Sequence, residues 1–344
     1  GITEPIGTGM WVLKEYVADQ YALFERNEYY WGEKPKFQYM KAMVIPDVNT
    51  AVTALNAGEI DVMADSTLIT ADMYKEMETA GFKTETAPTT SISNLNINTG
   101  GEITGDVNVR LALEYATDNT AISEGIFGGL QKPATAYFST DVPYANVGIA
   151  PYPYDPDKAN VILDEAGWVY EGDDQVRSKD GKILELDLIY DASVTNDRDI
   201  ALILQSQYAQ VGIQLNIVPQ DSQIYRQNWA NGEFGVLIYS SWGGSYEPYA
   251  TLAAMAADGD KFHTVQKGMK NKPELDDIML DCLTQKDPEM LQENFNYIMQ
   301  SFHDEAVYVP LTVVSTLAIY NSELAGLDLE SSHGGMGIGG MYVE

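Results

Sequence analysis

One cysteine, three histidines and twenty basic residues are all that this 344-residue chain offers of the groups that most often carry chemistry or grip polyanions. The single thiol, Cys282, excludes an intramolecular disulfide framework. In "LDDIMLDCL" it falls on helical apolar spacing and reads as a small packed residue. Twenty Lys and Arg stand against 51 Asp and Glu, a net charge of −31. That balance argues against nucleic acid as a partner, because binding there depends on cations neutralising phosphates. It suits solubility first, and is compatible with a small cationic ligand. Long apolar runs are also lacking, and none approaches the roughly 20 residues of a membrane-spanning helix. The amino-terminal "GITEPIGTGMW" carries no signal peptide or lipidation motif and reads as interior sequence.

The scarce histidines are scattered. His263, His303 and His333 form no HExxH or similar metal-ligand spacing. A GxSxG elbow, a P-loop and a GxGxxG after a strand are all absent. "EGDDQVRSKDGK" is acidic but misses the calcium-loop pattern. A two-carboxylate glycosidase has no local signature, and among 51 acidic residues any chosen pair is arbitrary. The chain is therefore not expected to be an enzyme, and no cofactor is required.

What is present is an alternation of helix and strand, which predicts an α/β fold. A hydrophobic content of 45% is enough for a sizeable core. In "DVNTAVTALNAGEIDV", Asp47 or Asn49 caps a short helix, Gly58 stops it, and Ile60 and Val62 begin a strand. "YDPDKANVILDEAGW" has Asp155 as cap, Pro156 in the first turn and Gly167 as stop. "RSKDGKILELDLIY" reads as a hairpin turning at Asp180-Gly181, with Leu184, Leu186, Leu188 and Tyr190 on one face. "DIALILQSQYAQVGIQLNIV" is a helix, a glycine break and a strand with Ile213, Leu215 and Ile217 on one side. "MLQENFNYIMQSFHDEAVYVPLTVVSTLAIY" is a long helix followed by two extended stretches. The glycine-rich tail "SSHGGMGIGGMYVE", which holds His333, Met336 and Met341, promises little regular structure.

"SSWGGSYEPY", residues 240–249, places Trp242 and Tyr246 around two glycines without any nucleophile or base. Aromatics beside flexible backbone suggest a surface that holds a ligand. Several longer segments show a resemblance: "PIGTGMWVLKEY", "FERNEYYWGEKPKFQYMKAMVIPDVNTAVTALNAGEIDV", "DVPYANVGIAPYPYDPDKANVILDEAGW" and "FHDEAVYVPL". In this order they resemble family 5 of the extracellular solute-binding proteins, which deliver ligands to ABC importers.

The resemblance implies a two-lobed, type II periplasmic-binding-protein-like fold with mixed sheets and an incomplete first lobe. It implies partial lobe one over residues 1–92, lobe two over 93–313, and a return to lobe one with the tail over 314–344. It further implies a membrane permease as partner and a small-molecule ligand. The location it implies is extracytoplasmic, in the periplasm or at the cell surface through an amino-terminal anchor.

Details of "WGGSYEP", "RNEYYWGEKP", "DVPYANVG" and "HDEAVYVPL" are most similar to the nickel-carrier branch. There the transported ligand is Ni²⁺ wrapped in a small organic chelator. By that resemblance Trp242 and Tyr246 match the aromatic walls, and His263, in a loop, is the candidate metal ligand; Tyr225 in "DSQIYRQNW" is a further candidate for the cleft. Asp260 occupies the place where the branch's histidine is expected, and His263 lies about three residues beyond it. His303 belongs to a helix-end motif of the broader family and is expected to be structural, as are Arg26 and Arg110. The alternative is an oligopeptide, dipeptide or other small-solute carrier. Peptide carriers place an aspartate where this chain has Ser245, so Glu247 or Asp260 would have to supply the carboxylate. With lobe one incomplete, the chain is expected to bind its ligand weakly.

Overall fold

The computed structural model describes residues 7–64, 69–172, 174–244, 247–329 and 337–344. The chain divides into two units, one of residues 1–87 with 316–344 and one of residues 88–315. The fold is mixed α/β with mixed sheets.

The second unit is built around one sheet with helices on both faces. Strand Glu185–Asp191 pairs in parallel with Gln214–Gln220 and with Val236–Ser240, which runs antiparallel to Lys83–Ile97. Strand Tyr308–Tyr320 lies on the far side of Lys83–Ile97. Alternation along each strand divides the core in two. Leu95, Ile97, Leu186, Leu188, Val236 and Ile238 pack on one face with the helices Val107–Ala116, Pro156–Glu165 and Asp197–Ala209. Ile189, Leu237 and Tyr308 pack on the other with Ser222–Asn231, Tyr249–Ala256, Lys272–Cys282 and Pro288–Asp304. Cys282 is buried in that second cluster as a free thiol.

Local signals act where they were expected. The Asp47 and Asp155 side chains accept from the Thr50 and Lys158 amides, and Pro156 occupies the first turn of its helix. Each such cap contributes about 1 kcal/mol. Asp180 and Gly181 both adopt positive φ, 53° and 75°, as a two-residue hairpin turn requires. That hairpin ends sooner than its sequence suggests. Arg177–Lys179 pairs with Lys182–Ile183, and the chain then leaves to become a central, parallel strand. The residues after the long helix form one continuous strand, Tyr308–Tyr320, rather than two stretches.

Arg110 and Arg177 are structural. Arg110, 1% exposed, pairs with Glu305 at 2.7 Å and donates to the Thr104, Gly105 and Glu305 carbonyls. Arg177 donates to the Val211 and Trp168 carbonyls and to Asp164 and Asn160.

The first unit holds the three-stranded antiparallel sheet Trp11–Val17, Tyr21–Arg26 and Tyr39–Met43. It also holds the helices Val48–Asn56 and Ala71–Thr79. A small core of Ala318, Tyr320, Leu324, Leu327 and Met341 closes against Val62 and Ala64. The tail is partly ordered: Tyr342–Val343 pairs with Leu324–Ala325. His333 and Met336 lie outside the described residues. Among the described residues no helix is long and apolar enough to cross a membrane.

Candidate functional site

Strand Val236–Ser240 delivers the chain to Trp242 and the two glycines. Ser241 fixes that delivery: its amide donates to the Ile92 carbonyl at 2.8 Å, and its hydroxyl accepts from the Ile92 amide at 3.0 Å. The glycines are needed for the turn that follows. Gly243 sits at φ +65°, and a Cβ there would meet the Ser91 amide nitrogen at 2.9 Å. Gly244 then donates to the Thr90 hydroxyl at 2.6 Å. The segment is thus tied at three points to strand Lys83–Ile97, which leaves Trp242 half-buried at its bend. Tyr246, expected to be the second wall, lies outside the described residues together with Ser245.

Trp242 packs edge-on against Phe262, ring centroids 5.1 Å apart at 77°. Phe262 is the centre of an aromatic group, with Trp229 at 5.0 Å and Tyr239 at 5.5 Å. Edge-to-face rings of this kind add to simple area burial and hold one another in orientation. Lys261 lies over this group, its Nζ 4.5 Å from the Trp229 ring centroid. Burial, and then the nearby Arg226 charge, lowers the Lys261 ammonium from its ordinary range. Two cations therefore stand beside the aromatic group.

His263 follows Phe262 and belongs to a helix, Lys261–Gln266, rather than to a loop. The reason is local: the Asp260 carboxylate accepts from the Phe262 amide at 2.8 Å and caps the turn. His263 Nε2 lies 3.5 Å from Asp276 and Nδ1 lies 3.8 Å from Asp258. Asp276 also pairs with Lys272, which donates in turn to the Met255 carbonyl. The imidazole is thus held by carboxylates on both sides. Among the described residues no cluster of three or more His, Cys, Asp or Glu side chains is placed to hold a metal by itself.

Tyr225 is a correction. It is 5% exposed on the inner face of Ser222–Asn231, and its hydroxyl donates to the Ile238 carbonyl at 2.7 Å. The ring packs beside Trp229 in the core and is no wall of a surface site. Glu247 is likewise inside, 7% exposed; burial pushes its carboxyl up to about 6 against the opposing pull of Ser241 and the Gly243 amide. His303 stacks flat on Tyr152, centroids 4.3 Å apart at 5°. Phe262, Lys261 and Arg226 were not picked out from the sequence. Their only signal was proximity to His263 or Tyr225, since the contact with Trp242 is long-range.

The profile of "Bacterial extracellular solute-binding proteins, family 5 Middle" matches residues 2–263. The chain is 32% identical over 330 residues to the nickel-binding periplasmic protein of Escherichia coli K12, covering 95% of this chain and 63% of that protein. It is 27% identical over 317 residues to the oligopeptide-binding protein AppA of Bacillus subtilis, covering 89% and 56%. The crystal structure of NikA from Brucella suis in complex with Fe(III)-EDTA superposes with a TM-score of 0.95 at 30% identity, over 99% of this chain and 69% of that one. The chain thus spans about 56–63% of the length of these two curated relatives. With its mixed α/β architecture and a profile match over most of its length, the chain belongs to family 5 of the bacterial extracellular solute-binding proteins.

Proposed function

We propose that this chain is the greater part of an extracytoplasmic carrier that binds nickel, or another metal, as a complex with a small carboxylate-bearing chelator and presents it to an ABC importer's permease. The reading is that of a binding protein without a catalytic step. The observation that carries it is the half-buried Trp242, held edge-on by the core ring of Phe262, with Lys261 and His263 on the adjoining helix. The Trp242 ring supplies apolar contact to a flat chelate, cations match its carboxylates, and an imidazole suits nickel. The likeness to a nickel-binding protein and to a NikA structure holding a metal chelate supports the same ligand class.

The peptide reading has relatives too, but it needs a free carboxylate for an amino terminus. Asp260 is engaged as a helix cap, and Glu247 is turned into the core.

The test is calorimetric titration of the natural-length polypeptide with nickel plus free histidine, beside a dipeptide mixture. Nickel–histidine binding is expected. Trp242→Ala should weaken it roughly tenfold or more, as loss of a buried aromatic anchor does, and His263→Ala should change its nickel dependence. Dipeptide binding with no nickel response would sink the metal reading.

A further inference from the structure

A separate cavity lies wholly within the second unit, away from Trp242 and His263. It has a volume of about 100 Å³ and is lined by Glu114, Tyr137, Tyr152, Phe302, His303 and Tyr308, among others. By the same measure about 10–15 Å³ admits one water, so the space holds a small organic molecule.

One carboxyl lines it without a partner among the described residues. Glu114, on the helix Val107–Ala116, is 7% exposed, and no described group donates to its carboxyl. Tyr137 and His303 also line the space, but the Tyr137 hydroxyl and His303 Nε2 themselves are closed off from it. A buried carboxyl without a partner destabilises a fold, and such groups persist where something else satisfies them.

We propose that this cavity is a second binding site, for a small primary ammonium compound, with Glu114 as its counter-ion and the rings of Tyr137, Phe302, Tyr308 and Tyr152 as its walls. The chemistry selects this class. One carboxyl and one imidazole are too few for a metal, and the carboxyl opposes an anion. An apolar guest would leave Glu114 unsatisfied. An ammonium donates to the Glu114 carboxylate, while ring faces attract its charge.

Burial alone raises the Glu114 carboxyl well above its ordinary range. The titratable groups around it are Tyr115, Tyr152, Tyr208 and His303, and no Lys or Arg lines the cavity. With no resident cation to hold the carboxylate, an entering ammonium displaces its proton to solvent. Binding is therefore linked to proton release.

The experiment uses the 344-residue chain with ethylammonium and, as the neutral molecule of the same size, ethanol. Saturation-transfer NMR reads binding, and calorimetry in buffers of different ionisation enthalpy reads the proton. Saturable ethylammonium binding with proton release is expected, in the millimolar range because the carboxyl must first ionise. Glu114→Gln should weaken it roughly thirtyfold or more, as removal of one side of a buried charge pair does. That variant leaves the exposed acidic surface intact, so non-specific cation binding persists in it and is subtracted. Equal binding by Glu114→Gln, equal binding of ethanol, or water alone in the cavity would each overturn the proposal. If the variant fails to fold, the ethylammonium–ethanol comparison on the unaltered chain decides.

Discussion

The two units bury their apolar residues to very different extents. In the second, both faces of the sheet are covered by helices, and among the described residues none of its exposed large apolar side chains exceeds Ile183 at 54% exposure. In the first, the sheet Trp11–Val17, Tyr21–Arg26, Tyr39–Met43 has no buried residue on either face. Tyr29 is 96% exposed, Trp31 82% and Tyr16 68%. The strands there are paired along their length apart from one irregularity between Leu13 and Glu15, yet a ladder without a packed face adds little net stability. Its ion pairs, such as Lys14–Glu25, lie at the surface, where each is worth at most about 1 kcal/mol. Regular secondary structure and a core are separate achievements, and only the second unit has both in full.

The widest contrast should come from a core truncation in the second unit. Phe295 is fully buried in the cluster of the long helix Pro288–Asp304 and touches Tyr144. Phe295→Ala should cost about 3–5 kcal/mol through lost burial and a residual cavity. Urea unfolding followed by circular dichroism measures it. A loss below 1 kcal/mol would mean that this core is loosely packed and that the contrast is overstated.

A pH-dependent effect should distinguish the second unit again. Burial, and then the charge of Asp191, raises the Asp197 carboxyl to about 8. An acid raised on folding favours the protonated native state. Its contribution is full below the ordinary carboxylate range and is lost as pH climbs through about 8. Asp197→Asn stays neutral throughout, so the variant should gain on the unaltered protein from about pH 4 upward, with the widest gap at pH 8 and above. Urea midpoints across that range test the sign, and a gap that shrinks as pH rises would refute it.

These contrasts also mark what the chain discloses before it folds. Local devices were readable because their partners are a few residues apart: Asp155 with Lys158, the Asp180-Gly181 turn, the positive φ of Gly167. The alternation of Leu184, Leu186 and Leu188 named a buried face but not the strand's neighbour, which is set by a parallel pairing 29 residues away (Gln214 with Glu185). Trp242 was singled out by composition, whereas its support from Phe262 depends on the sheet and helix meeting. Tyr225 was misread although a signal existed. Trp229 follows it by four residues, and two aromatics at that spacing form one helical stripe, here turned inward. Glu114 gave no sign, because a single acid in "VRLALEYA" looks like an exposed position until the fold covers it.

The smallest expected change in stability sharpens the comparison most. Trp31 is almost fully exposed, with Tyr30 as its ring neighbour at 5.2 Å. Trp31→Ser removes little burial, so unfolding should shift by no more than about 0.5 kcal/mol. The surface, however, loses the largest ring in a run that also holds Tyr29, and exposed apolar patches of this kind drive association. Sedimentation velocity over a concentration series should therefore show weaker self-association in the variant than in the unaltered chain. A destabilisation comparable to Phe295→Ala would mean that Trp31 is packed in solution, and the first unit's three-stranded sheet would then have a packed face after all. Unchanged stability with unchanged association would place the sticky surface elsewhere in that unit, with the groove of about 600 Å³ lined by Phe37, Met40, Met63 and Met341 as the next region to alter.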